Sequence, residues 1–130
     1  MTTPPRTPDR LLFRRLELPC RIGAHSGEAD LPQPVWVALE LEVDLTEPAA
    51  TDRLEDTVDY GRVAEAVAAV VARPEPYVLL EHLAASILAV SLGFARVLAA
   101  EVTVEKARPP LGPAVGHIAI RLRRERTVPS

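Results

Sequence analysis

The sequence predicts an α+β domain in which a four-stranded antiparallel sheet carries two helices on one face. Two alternating apolar patterns come first along the chain, two helical patterns follow, and two more alternating patterns come last, giving the order β-β-α-α-β-β. A length of 130 residues suits one domain. We assign residues 11–124 to that domain, residues 1–10 to a disordered proline-rich tail, and residues 125–130 to a C-terminal tail.

The first two strands are predicted from alternation. Apolar residues from Leu11 to Leu18 alternate with one break, between Phe13 and Leu16, that indicates a β-bulge. The second strand shows the clearest period of two. Its apolar positions are Val35, Val37, Leu39, Leu41, Val43 and Leu45. The polar segment between the strands, residues 23–34, is predicted to be a loop joining an antiparallel pair.

Two amphipathic helices are predicted in the middle of the chain. Asp59 is placed to cap the first helix, and Pro74 ends it. Its apolar stripe consists of Val63, Val67, Val70 and Val71. The second helix is predicted over residues 79–92, with Gly93 at its C-terminal end. Its buried face consists of Leu80, Leu83, Ile87 and Val90.

Two further strands, over residues 97–106 and 117–124, complete the sheet. The turn between them is marked by Pro109, Pro110, Gly112 and Pro113. Four long strands in so short a chain leave sheet edges whose N–H and C=O groups can pair with another chain. Closing several sheets into one barrel satisfies such edges. We therefore expect a homo-oligomer.

Composition narrows the classes of function. A net charge of -3 and only 4% aromatic residues are atypical of a nucleic-acid-binding protein. The one basic run is more typical of a solvated strand end than of an anion site, and it consists of Arg121, Arg123, Arg124 and Arg126. The lone Cys20 cannot form an intrachain disulfide, so we interpret it as a small apolar core residue. No segment resembles a signal peptide or reaches the roughly 20 apolar residues of a membrane span, so we expect a cytoplasmic protein without membrane contact.

Four side chains are candidates for chemistry, although residue type alone names no reaction. Glu81 lies in the first turn of the second helix, where it either stabilises the helix start or accepts two N–H bonds from a ligand. Taken singly, Lys106 is interpreted as an exposed lysine at a strand end, Tyr60 as a packing residue, and Glu28 as a solvated loop acid. The three histidines lack the spacing of a metal site, so no metal is predicted.

Five segments, in order along the chain, carry a family resemblance. They are Gly23-Ala24-His25-Ser26-Gly27-Glu28 with Gln33 after it, Asp56-Thr57-Val58-Asp59-Tyr60-Gly61, Leu79-Leu80-Glu81-His82-Leu83-Ala84, Val104-Glu105-Lys106, and Gly116. With these motifs the sequence resembles the dihydroneopterin aldolase family over residues 11–124. The resemblance implies the tunnelling fold, in which sheets close into an oligomeric barrel as a tetrameric ring or an octamer, with active sites shared between chains. The loop after His25 is shorter than in some members of the family, and the proline-rich tail has no counterpart there.

The resemblance also implies a reaction and roles for six residues. The expected substrate is a reduced pterin, 7,8-dihydroneopterin, cleaved to 6-hydroxymethyl-7,8-dihydropterin and glycolaldehyde in folate biosynthesis without a cofactor. The implied catalytic residues are Glu28, Tyr60 and Lys106, and the implied substrate-binding residues are Glu81, Leu80 and Val58. Two alternatives stay open at this point, namely 2′-epimerisation of dihydroneopterin or its triphosphate, and a non-catalytic oligomer that binds a pterin.

Overall fold

The protein is an antiparallel four-stranded sheet with its two long helices packed on one face. The computed structural model describes residues 8–107 and 116–127. The elements are β1 (Arg10–Cys20), β2 (Gln33–Glu42), α1 (Thr46–Thr51), a 3-10 turn (Leu54–Asp56), α2 (Tyr60–Val71), α3 (Leu80–Leu92), β3 (Ala99–Ala107) and β4 (His117–Glu125). The predicted order of four strands and two main helices is confirmed. The α1 helix and the 3-10 turn were not predicted.

The strands lie in the sheet in chain order, β1-β2-β3-β4, and every neighbouring pair is antiparallel. In the β1–β2 pair, Phe13 lies opposite Leu39 and Leu16 opposite Val37. The first strand thus advances three residues while the second advances two, which is the predicted bulge. Within the described residues, β1 and β4 are the sheet's two edges.

The core lies between the sheet and the helices. Alternate residues of β2 and β3 point toward the helices and are buried, which confirms the period of two. The helix α3 packs against β3 and β4, and α2 packs against α3. The valines of α2 predicted to face inward do so, with Val70 only partly buried. Cys20 is buried in the same core, as predicted.

Side-chain hydrogen bonds satisfy backbone groups at the start of α2 and at the end of α3. The Asp59 carboxylate accepts from the backbone N–H groups of Gly61 and Arg62, at 3.0 and 3.4 Å, so the predicted cap of α2 is confirmed. Beyond the end of α3, the Arg126 guanidinium donates to the carbonyls of Leu92, Phe94 and Val97. Arg126 is exposed, in agreement with the interpretation of the arginine run as a solvated strand end, and its guanidinium also satisfies carbonyls at and beyond the end of the helix.

The other face of the sheet is covered by no helix among the described residues and carries charges of both signs. Glu40 lies directly opposite Glu101, and Arg123 forms an ion pair with Glu42 at 3.0 Å. These groups, with Arg10, line a cavity of about 300 Å³. Within residues 8–107 and 116–127, no helix combines the length and apolar character needed to cross a bilayer. The predicted turn prolines and most of the N-terminal tail lie outside the described residues.

Candidate functional site

The centre of the candidate site is an ion pair between Lys106 and Glu28. The Lys106 ammonium donates to Oε2 of Glu28 at 2.5 Å, across 78 positions of sequence. Only 9% of the lysine side chain and 15% of the glutamate side chain are exposed. Both single-residue interpretations were therefore wrong, since Lys106 is not a surface lysine and Glu28 is not a freely solvated acid.

Strand geometry explains why Lys106 is buried. Along β3 the residues facing the helices are Ala100, Val102 and Val104, and Lys106 is the next member of that series. Its strand partners are Val35 on β2 and Ile118 on β4, so it lies on a central strand with a neighbouring strand on each side. Burial of an ammonium without a counter-charge is costly, and Glu28 supplies that charge.

The loop that carries Glu28 is fastened to the segment that precedes α3. The backbone N–H of Gly23 donates to the Tyr77 carbonyl at 3.0 Å, and the Tyr77 N–H donates to the Arg21 carbonyl at 2.9 Å. Gln33 then donates from its side chain to the Ile22 carbonyl at 2.8 Å. The loop is therefore held near the chain that leads three residues later into Leu80 and α3.

The electrostatics of Glu28 follow from this packing. Burial alone would raise its pKa, but the hydrogen bond and charge of Lys106, with smaller help from His25, hold the pKa below its ordinary value of 4.5. The Glu28 side chain is therefore an ionised carboxylate at neutral pH. Its second oxygen, Oε1, is buried and has no hydrogen-bond partner among the described residues. A buried acceptor without a donor costs stability and often marks a place where function requires an unfilled partner.

The start of α3 offers the groups from which a ligand site could be built. Leu79, the residue before the helix, has no side chain that could cap it. The first N–H groups of the helix therefore have no side-chain acceptor among the described residues. Glu81 lies in this first turn and is exposed. Its carboxylate makes no hydrogen bond or ion pair within residues 8–107 and 116–127. The side chain of Leu80 beside it is buried.

Tyr60 and Val58 stand apart from the ion pair. Tyr60 is the first residue of α2, and 66% of it is exposed. Val58, two residues earlier, buries its side chain in the core. In the described part of the chain, no hydrogen bond joins Tyr60 to Glu28, Glu81 or Lys106. The described chain thus unites Glu28 with Lys106 and fastens the Glu28 loop to Tyr77, four residues before Glu81, but it forms no hydrogen bond between Tyr60 and the ion pair.

The sequence interpretation missed Tyr77 and Arg21. Tyr77 is buried, donates from its hydroxyl to the Val70 carbonyl at 2.7 Å, and packs its ring against the Arg73 guanidinium. Arg21 donates to the carbonyls of Ala29 and Pro74, and so links the Glu28 loop to the α2–α3 connection. An aromatic residue that follows two prolines, in a chain with few aromatics, was the available signal for Tyr77; Arg21 gave none.

The chain is similar to a family model and to known proteins of that family. The family model for dihydroneopterin aldolase, FolB, matches residues 11–123. The chain is 36% identical over 105 residues to dihydroneopterin aldolase of Streptococcus pyogenes, covering 80% of this chain and 87% of that protein.

Solved structures agree with the sequence relatives. The structure of dihydroneopterin aldolase from Burkholderia thailandensis bound to guanine is 31% identical, with a TM-score of 0.74, covering 92% of this chain and 93% of that one. The Escherichia coli dihydroneopterin aldolase in complex with neopterin superposes with a TM-score of 0.80 at 19% identity, covering 89% and 98%. At that identity the likeness concerns the fold, and it confirms the arrangement of sheet and helices predicted from the sequence.

Proposed function

Because the chain belongs to the dihydroneopterin aldolase family and has its tunnelling fold, we propose that it is a lyase that cleaves 7,8-dihydroneopterin. The products are 6-hydroxymethyl-7,8-dihydropterin and glycolaldehyde, a step of folate biosynthesis that we assign to the cytoplasm. The observation that carries the proposal is the largely buried ion pair between Lys106 and Glu28, which sets an ammonium and a carboxylate together at one end of the sheet.

The chemistry requires a place for the two electrons of the broken C1′–C2′ bond. In 7,8-dihydroneopterin the C6=N5 imine accepts them, so no Schiff base and no metal is needed from the enzyme. The enzyme must supply an acid near N5, a base for the 2′-hydroxyl, and a proton for the carbon left behind. We assign the proton toward N5 to Lys106, directly or through water, and assistance at the side-chain carbon to Tyr60.

Glu28 serves to orient Lys106 and the reacting groups. Its Oε2 holds the ammonium at 2.5 Å. Its Oε1 lacks a donor in the described chain. A protein that only binds a pterin has no need of this arrangement, which favours catalysis over the non-catalytic alternative.

Recognition of the pterin ring falls to the start of α3. The ring presents a 2-amino group and a neighbouring N–H, and the Glu81 carboxylate, unpaired among the described residues, can accept both in bidentate geometry. Guanine, which is bound in the Burkholderia structure, carries the same pair of donors. Backbone groups near Leu80 and Val58 would meet the remaining ring edges, helped by the N–H groups at the uncapped helix start.

Tyr60 requires a second chain under this proposal. It is mostly exposed and makes no hydrogen bond to the ion pair among the described residues, where the sheet edges β1 and β4 are also open. We propose that protomers join into a ring, a tetramer or an octamer of two stacked rings, so that Tyr60 of one chain faces the site of its neighbour. Light scattering should give an oligomer at micromolar concentration, and a monomer with full activity would refute the shared site.

Product analysis tests the reaction. Purified protein incubated with 7,8-dihydroneopterin should release glycolaldehyde and 6-hydroxymethyl-7,8-dihydropterin in equal amounts, resolved by chromatography. The Lys106→Ala variant, prepared identically, controls for contaminating enzymes. A product pool that holds the 2′-epimer but no glycolaldehyde would instead identify an epimerase, because retro-aldol cleavage followed by re-addition to the other face uses the same groups. Absence of any turnover would leave a pterin-binding oligomer.

A further inference from the structure

We propose that Gly23 is a positioning residue for the reaction, because its missing side chain provides the space in which Glu28 seats its carboxylate against Lys106. The inference rests on the proposed function, since it concerns how one of the proposed catalytic groups is held. Gly23 itself touches no reacting atom under this proposal. It acts only through the place that it gives to Glu28.

The contact between the two residues is unusually close. A Cβ atom built on Gly23 would overlap Cβ, Cγ and Oε1 of Glu28, and these are the three nearest atoms to it. The Glu28 side chain therefore lies directly over the Cα of Gly23. Gly116 provides a contrast, because a Cβ added there meets no atom of residues 8–107 and 116–127 within 4 Å. The requirement for glycine at position 23 is steric, since its backbone is not in the left-handed region.

The backbone at Gly23 is not free to withdraw from an added methyl group. Its N–H donates to the Tyr77 carbonyl at 3.0 Å, and the preceding Ile22 forms a β-bridge with Tyr77. The Ile22 carbonyl also accepts from Gln33 at 2.8 Å, while its side chain is completely buried. Moving Gly23 would break these contacts, so the overlap must be relieved by movement of Glu28.

A change of rotamer cannot relieve the overlap, because Cβ of Glu28 is itself one of the overlapping atoms and follows the backbone. The segment around Glu28 must shift as a whole. Apart from the Lys106 contact, that segment is held among the described residues by two local turn bonds, Glu28 N–H to the His25 carbonyl and Asp30 N–H to the Gly27 carbonyl, and by Arg21, which donates to the Ala29 carbonyl at 3.1 Å. A methyl group at position 23 would thus displace the carboxylate from Lys106 without direct contact with the lysine.

The Gly23→Ala variant tests this inference, with Gly116→Ala as the matched control. A displacement of about 1 Å in catalytic geometry can cost on the order of 10²-fold in rate. We expect Gly23→Ala to lower kcat for glycolaldehyde release by that order while KM changes by less than about threefold. Gly116→Ala should match the wild-type protein in both constants. A Gly23→Ala enzyme with wild-type kcat would overturn the inference.

A double-mutant cycle separates positioning from general damage. In a Glu28→Gly background the overlapping atoms are gone, so Gly23→Ala should cause no further loss of kcat and no further loss of thermal stability. If Gly23→Ala alone fails to fold, the Gly23→Ala/Glu28→Gly protein should fold again, because the three atoms nearest to the added methyl group all belong to the Glu28 side chain. If Gly23→Ala lowered kcat and thermal stability equally in the wild-type and Glu28→Gly proteins, or if the double variant stayed unfolded, Gly23 would support the fold without acting through Glu28.

The outcomes also distinguish this inference from the proposed function. Wild-type protein that releases no glycolaldehyde refutes the proposed reaction. Wild-type protein that is active, together with a Gly23→Ala variant that is equally active, refutes only the role of Gly23.

Discussion

The Lys106–Glu28 pair allows a quantitative prediction about stability. Replacing Lys106 by Met keeps the length of the side chain but leaves the Glu28 carboxylate, 15% exposed, without its only cationic partner in the described chain. Removing one member of a buried pair costs roughly 3–5 kcal/mol, and the slight exposure of Glu28 favours the lower end of that range. We expect Lys106→Met to lower the melting temperature by roughly 10 °C at pH 7.

The double variant Glu28→Met/Lys106→Met provides the control. It removes both charges and keeps unbranched side chains, so no carboxylate is left buried and unpaired. Replacing both members of a buried pair by apolar residues is often neutral or stabilising. The double variant should therefore recover most of the lost stability while having no aldolase activity. All proteins are compared at one protomer concentration, because an oligomer's unfolding depends on concentration.

The pH dependence has a defined sign. Since the folded-state pKa of Glu28 lies below its ordinary value of 4.5, pairing stabilises the native protein fully above that pH, and this contribution is lost as pH falls through the folded pKa. In Lys106→Met burial is opposed only by the smaller effect of His25, so the pKa of Glu28 should rise and protonation should relieve the penalty. The difference in melting temperature between the wild-type protein and Lys106→Met should therefore become smaller from pH 7 toward pH 4. If this difference did not change with pH, or if the double variant were no more stable than Lys106→Met, the unpaired Glu28 carboxylate would not be the cause of the lost stability.

Three further predictions concern binding, chemistry and thiol reactivity. Lys106→Met should keep pterin affinity within about tenfold but lower the rate by on the order of 10²–10⁴-fold, and borohydride with substrate should leave no adduct on Lys106 by mass spectrometry. Glu81→Gln should weaken pterin binding by roughly 2–4 kcal/mol in calorimetry, because it puts a donor opposite the ligand's own donors; near-normal affinity would place the anchor elsewhere. Burial, opposed weakly by Arg73, raises the pKa of Cys20 to about 11, so iodoacetamide at pH 8 should modify it only after unfolding.

Most of the fold could be predicted because the core follows simple periods. The alternation in β2 and the valine stripe of α2 correspond directly to buried positions. The break between Phe13 and Leu16 identified a real bulge. By contrast, α1 buries none of its six residues, so it leaves no apolar pattern in the sequence. Its position could not have been predicted from periodicity.

The burial of Lys106 follows from the strand period. Val102 and Val104 fix the inward phase of β3, and Lys106 continues that phase. Lysine is usually exposed, but here the strand period decides its position, so the interpretation of Lys106 as an exposed lysine was wrong. Its partner could not be predicted from patterns, because Glu28 lies 78 positions away in a loop whose course depends on Tyr77, Arg21 and Gln33.

The same pair explains why the site is built at a cost to stability. An apolar pair of similar size would satisfy the core and leave no unpaired Oε1. What an apolar pair cannot do is hold an ammonium at a fixed place beside a carboxylate in a largely water-free setting. The proton transfer that we propose requires that placement, and a rigid support for it is more effective than a mobile surface lysine. The backbone bonds that fasten Gly23 to Tyr77 therefore serve the proposed chemistry, since they keep the loop from yielding where Glu28 meets Lys106.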